Sequence, residues 1–210
     1  MIKELWRSVL DVFYPGHCVF CDIKIPSGIF CGTCFSCIQP LTAPAYPCLF
    51  GAVLYREPMV TAVHRFKYRR EIFLAPSLAG FLVQLCRYYR IQERVDSVIP
   101  VPLYPARRRE RGFNQSELLA GYLANHFSLP LLRNCLKRSK NTPSQTGLSG
   151  RERLANVSGA FRVAKTSMVR GKSLLLVDDV LTTGATLNAC RRQLLDAGAG
   201  EVYGMALARD

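Results

Sequence analysis

The chain has 210 residues, 49% of them hydrophobic, and 28 Lys and Arg stand against 15 Asp and Glu for a net charge of +13. That length can bury a full core as one large domain with a small appendage, and the composition excludes a disordered polymer. The basic excess, clustered in stretches such as Arg107-Arg108-Arg109-Glu110-Arg111, would attract a polyanion such as nucleic acid or a phosphate-rich metabolite. No apolar run approaches the ~20 residues that span a bilayer.

Residues 1–14 put Trp6, Val9, Leu10 and Phe13 on one helical face but also carry Glu4 and Asp11. This predicts a helix packed on the body of the protein and argues against a secretory segment. Nine cysteines follow, five of them within residues 18–37. An odd number at such tight spacing suits metal ligation better than a disulfide framework, which predicts a reducing, cytoplasmic location. Cys18-Val19-Phe20-Cys21 and Cys31-Gly32-Thr33-Cys34 are two CxxC knuckles with nine residues between them, a spacing that can close a tetrahedral thiolate site around Zn²⁺. Cys37 makes Cys34-Phe35-Ser36-Cys37 an equally regular second knuckle. Pairing Cys31 with Cys34 is preferred, because Ile29-Phe30 supplies a short apolar element and Gly32 suits the turn. The site should be structural, organising a module too small to bury its own core. Cys86, Cys135 and Cys190 stand in helical or apolar contexts and read as core.

Composition shifts near residue 44, where Pro40, Pro44 and Pro47 punctuate a linker, so residues 1–44 form one module and 45–210 a second unit. In the second, 51–55 reads as a strand. Residues 59–68 lead into a helix over 71–90, where Phe73, Leu74, Leu78, Phe81, Leu82 and Leu85 recur at helical spacing and Pro76 must lie in the first turn. Residues 95–101 read as a short strand, 102–113 as a basic loop, and 114–127 as a helix with Leu118, Leu119, Tyr122 and Leu123 on one face. The polar stretch 137–158, with a short helix around 151–156, is long enough to be functional or mobile. A buried strand over 173–178, a helix over 187–197 closed by Gly198 and a last strand over 202–208 complete the chain. Strands alternating with helices predict an α/β fold with a mostly parallel sheet.

The richest segment is Leu174-Leu175-Leu176-Val177-Asp178-Asp179-Val180-Leu181-Thr182-Thr183-Gly184-Ala185-Thr186, an apolar strand that stops at two carboxylates and opens into a hydroxyl-rich loop capping the next helix. Backbone N–H groups and threonine hydroxyls there suit a phosphate, and the two acids suit sugar hydroxyls or a metal. The loop is neither GxxxxGK[ST] nor GxGxxG. In open α/β sheets ligands bind beyond the carboxyl ends of the strands, where this loop falls. The arginines of 107–111 offer guanidinium forks for pyrophosphate oxygens, though not all can point inward. Lys67 is a further candidate phosphate contact, and His17, His64 and His126 show no pairing that suggests a catalytic base.

Residues 177–186 resemble the phosphoribosyl pyrophosphate (PRPP) signature of type I phosphoribosyltransferases. Pro100-Val101-Pro102, the 107–111 cluster with Gly112-Phe113-Asn114-Gln115-Ser116, and Thr142-Pro143-Ser144-Gln145-Thr146-Gly147-Leu148-Ser149 followed by Arg151, Arg153, Asn156 and Ala160-Phe161 together resemble the ComF family, associated with competence and DNA uptake. The resemblance runs over essentially the whole chain. It implies a type I phosphoribosyltransferase fold with a small N-terminal zinc module, in which Asp178 and Asp179 contact the ribose hydroxyls as the catalytic pair. Val180, Leu181, Thr182, Thr183, Gly184, Ala185 and Thr186 would then hold the 5-phosphate, and Val101, Pro102, Arg107, Arg111 and Lys67 the pyrophosphate. Mg²⁺ would bridge ligand oxygens. Transfer of a phosphoribosyl group to an unidentified acceptor is the implied activity. The alternative is a non-catalytic protein of DNA uptake that holds single-stranded DNA on the same arginines, with Tyr104, Phe113, Tyr88 and Tyr89 as stacking candidates, or that docks a competence helicase.

Overall fold

The computed structural model describes residues 16–139 and 159–210. The helix expected over 1–14 and the one around 151–156, with Thr142 to Ser149, lie outside the described residues. The chain opens with a short antiparallel pair, β1 (Gly16–His17) and β2 (Lys24–Ile25), followed by a one-turn helix, α1 (Gly32–Ser36). After the proline-rich connection comes β3 (Leu49–Leu54), close to the predicted strand.

The segment 59–90 is two helices, not one. Residues 59–68, expected only to lead in, form a complete helix, α2 (Met59–Tyr68). Arg70 then adopts φ 57°, and a 3₁₀ turn over Ile72–Leu74 precedes α3 (Ala75–Tyr88). Pro76 sits in the first turn of α3, where its missing N–H costs nothing. Phe73, counted in the periodic face, is exposed because the 3₁₀ turn changes the phase.

After β4 (Ser97–Pro100), residues 102–113 are not the expected basic loop, because they contain the helix α4 (Pro105–Arg111). Pro105 presets the first helical φ, and Arg108, Arg109 and Arg111 lie in the last turn, where cations favour the helix dipole. The next helix, α5 (Gln115–His126), begins where expected, with the Asn114 side chain accepting the Ser116 N–H. Two short strands, β5 (Leu136–Arg138) and β6 (Phe161–Val163), pair antiparallel, so the polar stretch starts from a strand.

The predicted strand over 173–178 runs three residues further as β7 (Leu174–Leu181), so both aspartates lie within the strand and not after it. Its partner β8 (Val202–Arg209) is equally long and pairs as far as Leu181–Arg209. Between them, α6 (Ala185–Asp196) starts at Ala185, two residues before the predicted position. Gly198 closes it: its N–H reaches Leu195 O at 2.9 Å, and the Ala199 N–H reaches Leu194 O at 3.0 Å, the pairing that ends many helices.

The central sheet is all parallel in the order β3-β8-β7-β4. Alternate residues of β7 serve its two faces. Leu175 and Val177 meet Phe66 of α2, Leu78 and Leu82 of α3, and Leu119 and Leu123 of α5. Leu174 and Leu176 meet Leu187, Cys190 and Leu194 of α6. A sheet covered on both faces explains why the strand sequence is continuously apolar. No helix among the described residues is long and apolar enough to cross a membrane.

Candidate functional site

The ends of β4 and β7 lie side by side. Pro100 pairs with Val177, and the Val101 N–H donates to Val177 O at 2.9 Å, which brings Val101 and Pro102 beside the aspartates. Asn114 Nδ2 donates to Val101 O at 3.0 Å while its Oδ1 caps α5, so one side chain ties the end of β4 to the start of that helix. This aims Ser116 at the acid pair: its Oγ donates to Asp178 Oδ1 at 2.8 Å, and the Asp179 N–H donates to the same oxygen at 2.9 Å.

The two carboxylates are buried and held differently. Burial, and then the negative charge of Asp179, push the Asp178 carboxyl up to about 7, against the opposing pull of Ser116, the Asp179 N–H and Lys67. Asp179 is paired with Lys67, whose Nζ lies 2.9 Å from Oδ2. Burial disfavours the charged Lys67, yet the Asp179 charge and hydrogen bond outweigh it and hold the ammonium above its ordinary value. Lys67 thus stands at the acid pair, on α2.

Beyond Asp179 the seven residues expected at the 5-phosphate divide by role. The Leu181 side chain is buried in the α6-side core and Val180 packs against the other, leaving only their backbone for a ligand. Thr182 and Thr183 are half-buried in the loop, where Thr183 Oγ1 accepts the Ala185 N–H at 3.4 Å. Thr186 lies in the first turn of α6 and not in a cap; Gly184 holds the cap position with φ 73° and no side-chain bond. A Cβ on Gly184 would stand 3.1 Å from the Tyr46 ring and 3.2 Å from Asn188 Nδ2, so both backbone angle and space call for glycine. The opening turn of α6 presents its N-terminal N–H groups at the end of the sheet, the usual setting for an anion.

Of the arginine cluster, Arg107 and Arg111 are half-buried and Arg108 and Arg109 exposed, as a helix with one inward face requires. Arg111 Nη1 donates to Gln115 Oε1 at 2.5 Å, and its guanidinium lies 5.3 Å from the Tyr68 ring centre. Arg107, Arg111, Lys67 and Arg70 surround a cavity of about 400 Å³. Arg138 belongs to the same neighbourhood: burial, and then the like charge of Arg107, hold its guanidinium below the ordinary value, with Asp178 acting the other way. Ser116, part of the sequence motif over 112–116, was not expected to touch the acid pair, whereas Arg138 belongs to the polar stretch 137–158 already read as functional or mobile. The Asn114 cap places Ser116 in the first turn of α5, and Arg138 comes to the site from a separate hairpin.

The Sγ atoms of Cys18, Cys21, Cys31 and Cys34 all lie within 4.8 Å of one another, and those of Cys21 and Cys31 are 3.7 Å apart. Tetrahedral Zn–S bonds of about 2.3 Å put neighbouring sulfurs about 3.8 Å apart, so this cluster fits a metal ion of that kind. Burial opposes ionisation of Cys18, but the N–H groups of Cys21, Cys31 and Phe20 bring its thiol down to about 6. Burial and the neighbouring sulfurs push Cys34 up. The Cys34 N–H points at Cys31 Sγ at 3.4 Å, a knuckle contact. Cys37 donates to Thr33 O at 3.3 Å and stands outside the cluster, so the sulfurs that converge are those of the Cys31–Cys34 knuckle. The other expected core thiols, Cys86, Cys135 and Cys190, are buried, and no cysteine forms a disulfide. Arg65 anchors the knuckle to α2: its Nη1 donates to Val19 O at 2.9 Å and its Nε to Glu71 at 2.8 Å.

Comparison with known proteins gives a matching domain family and three similar relatives. The phosphoribosyl transferase domain family matches residues 114–209, which span Ser116, the acid pair and the Gly184 loop. Competence protein F of Haemophilus influenzae is 33% identical over 97% of this chain and 94% of its own length. DNA utilization protein YhgH of Salmonella typhimurium is 31% identical over 98% and 95%, and competence protein ComFC of Bacillus subtilis 34% identical over 74% and 61%.

Proposed function

This chain belongs to the competence protein F family and carries a phosphoribosyl transferase domain, and from that premise we propose that it binds PRPP with Mg²⁺ and transfers the phosphoribosyl group in DNA uptake. The observation that carries the reading is the buried Asp178–Asp179 pair at the end of a parallel strand, opening without a break into the Gly184 loop and the first turn of α6. Carboxylates accept hydrogen bonds from ribose 2- and 3-hydroxyls, and the loop N–H groups receive the 5-phosphate. Pyrophosphate, the leaving group, falls toward Lys67, Arg107 and Arg111. In the transfer the C1–O bond breaks, pyrophosphate keeps the electron pair, and the acceptor supplies the pair for the new bond. Chemistry of this dissociative kind depends on positioning and charge stabilisation. Asp178 and Asp179 are the carboxylates that would hold Mg²⁺ here, and the ion, when bound, would supply positive charge to stabilise the leaving pyrophosphate.

The four-cysteine cluster holds structural zinc in this reading, and residues 1–44 form its module. Calorimetric titration with PRPP and Mg²⁺ tests the pocket. Wild type is expected to bind and Asp178→Asn/Asp179→Asn to lose binding; absence of binding by wild type would sink the ligand assignment. Binding without turnover against a panel of bases and amines would leave the pocket and remove the transfer.

A second reading is favoured by the exposure of Arg108 and Arg109 beside Tyr104, and of Tyr88 at 63%. Here the protein works in the cytoplasm as a non-catalytic holder of single-stranded DNA alongside a competence helicase. Retention of single-stranded DNA at moderate salt that survives Arg107→Ala/Arg108→Ala/Arg109→Ala would rule out these arginines as the grip.

A further inference from the structure

A second, larger cavity of about 950 Å³ opens at the carboxyl end of β4, and its two walls differ in chemistry. Pro100, Pro102, Leu103 and Tyr104 form an apolar wall with one aromatic ring. Arg109, Lys137 and Arg162 bring positive charge. The carboxylate in the lining, Glu117, is already held by Arg108 at 3.1 Å and Arg133 at 3.3 Å. Arg109, Lys137 and Arg162 make no ion pair among the described residues.

The hairpin adds an independent observation. Lys137 and Arg162 are directly opposed in the β5–β6 register. Like charges at such a position disfavour the pairing, so the hairpin carries a local conflict that an anion between the two cations would relieve. The volume is near the upper end for small-molecule sites and exceeds what a single heterocyclic base fills. The cavity also shares its Pro100–Pro102 wall with the acid pair, since Pro100 pairs with Val177 next to Asp178.

We propose that this cavity is the acceptor site of the transfer and that the acceptor is itself a phosphate monoester of the nucleotide class. Its planar ring lies on the Pro100–Tyr104 wall, and its phosphate dianion lies between Lys137, Arg162 and Arg109. The inference rests on the PRPP reading above. The acceptor nitrogen supplies the electron pair for the bond to ribose C1, the C1–O bond to pyrophosphate breaks, and the nitrogen's proton leaves with the pyrophosphate. An uncharged base would leave Lys137 and Arg162 opposed to each other, with Arg109 in the same lining, whereas guanidinium and ammonium groups together match a phosphate dianion.

The test titrates wild type and Lys137→Met/Arg162→Met separately with the four 5′-mononucleotides, the matching uncharged nucleosides, PRPP with Mg²⁺, and a 15-residue thymidine oligomer. At least one mononucleotide is expected to bind wild type at least tenfold more tightly than its nucleoside, and the double variant to lose that binding tenfold or more while its PRPP affinity changes less than twofold. The same mononucleotide should still bind Asp178→Asn/Asp179→Asn, which separates this site from the PRPP loop. Lys137→Glu should melt at a higher temperature than ligand-free wild type, because it now pairs with Arg162, and should bind the mononucleotide at least tenfold more weakly. No preference for the phosphorylated form, or undiminished binding by the double variant, overturns the proposal. So does oligomer binding that the double variant loses while no mononucleotide binds, which would assign the cavity to a DNA strand. If PRPP does not bind wild type, it is the earlier reading that fails, whatever the mononucleotides do.

Discussion

Lys67 Nζ lies 2.9 Å from Asp179 Oδ2, with only 17% of the lysine side chain and 7% of the aspartate side chain exposed. The pair joins α2 to the end of β7, so the helix tethered to the cysteine knuckle through Arg65 also reaches the acid pair. Removing one partner of such a buried pair leaves an uncompensated charge. Lys67→Met is therefore expected to lower stability by about 3–5 kcal/mol, and Lys67→Met/Asp179→Asn to recover most of it. Urea unfolding reads this directly, and equal midpoints for wild type and the single variant would show that the ion pair holds nothing.

The Asp178 carboxyl titrates near 7 in the folded chain against about 4 when unfolded. In that interval the folded state holds the extra proton, so the contribution of this group to stability is complete below about pH 4 and is lost as pH rises through about 7. Ligand binding runs the other way, because ribose hydroxyls need the ionised carboxylate. PRPP affinity should fall by roughly tenfold per unit of acidification below pH 7, and Asp178→Asn should flatten the profile. Calorimetry at pH 6, 7 and 8 checks both slopes.

Ser116 Oγ is one of the groups holding Asp178 down. Ser116→Ala leaves that buried oxygen short of a donor, at an expected cost of about 1–3 kcal/mol. It should also move the midpoint of the PRPP pH profile upward. A loss of stability with an unmoved midpoint would show that the serine is a packing residue only.

Metal content discriminates the cysteines. Cys18→Ser and Cys34→Ser should abolish stoichiometric zinc, whereas Cys37→Ser, whose thiol lies outside the cluster, should retain one zinc per chain. Chelation of the wild-type protein should increase proteolytic cleavage within residues 16–37, because Cys18, Ile25 and Cys34 form only a small cluster of their own. Elemental analysis well below one zinc per chain would sink the assignment.

Gly184 combines φ 73° with the close approach of Tyr46. Gly184→Ala is expected to cost about 1–2 kcal/mol in backbone strain and to weaken PRPP binding. Adding Tyr46→Ala should relieve the crowding and leave the strain, so the double variant should recover only part of the stability in thermal melts.

The sequence by itself determined the features that depend on local pattern. The apolar run of β7 carries the demand of a sheet covered on both faces, Pro76 and Gly198 mark helix ends, and the CxxC spacing allows four sulfurs to converge. Helix α4 was not legible in this way because it buries none of its residues, so its sequence carries no apolar period. The acids looked like the end of a strand because carboxylates are rare in buried ones. Pairing with β8 extends the strand past them, through Asp178–Ala206 and Val180–Ala208. The contacts of Asp178 with Ser116 and of Asp179 with Lys67, like the opposition of Lys137 and Arg162, join residues on separate elements. Only tertiary structure decided these, because hydrogen bonds, ion pairs and burial act over a few ångströms of space and not along the chain.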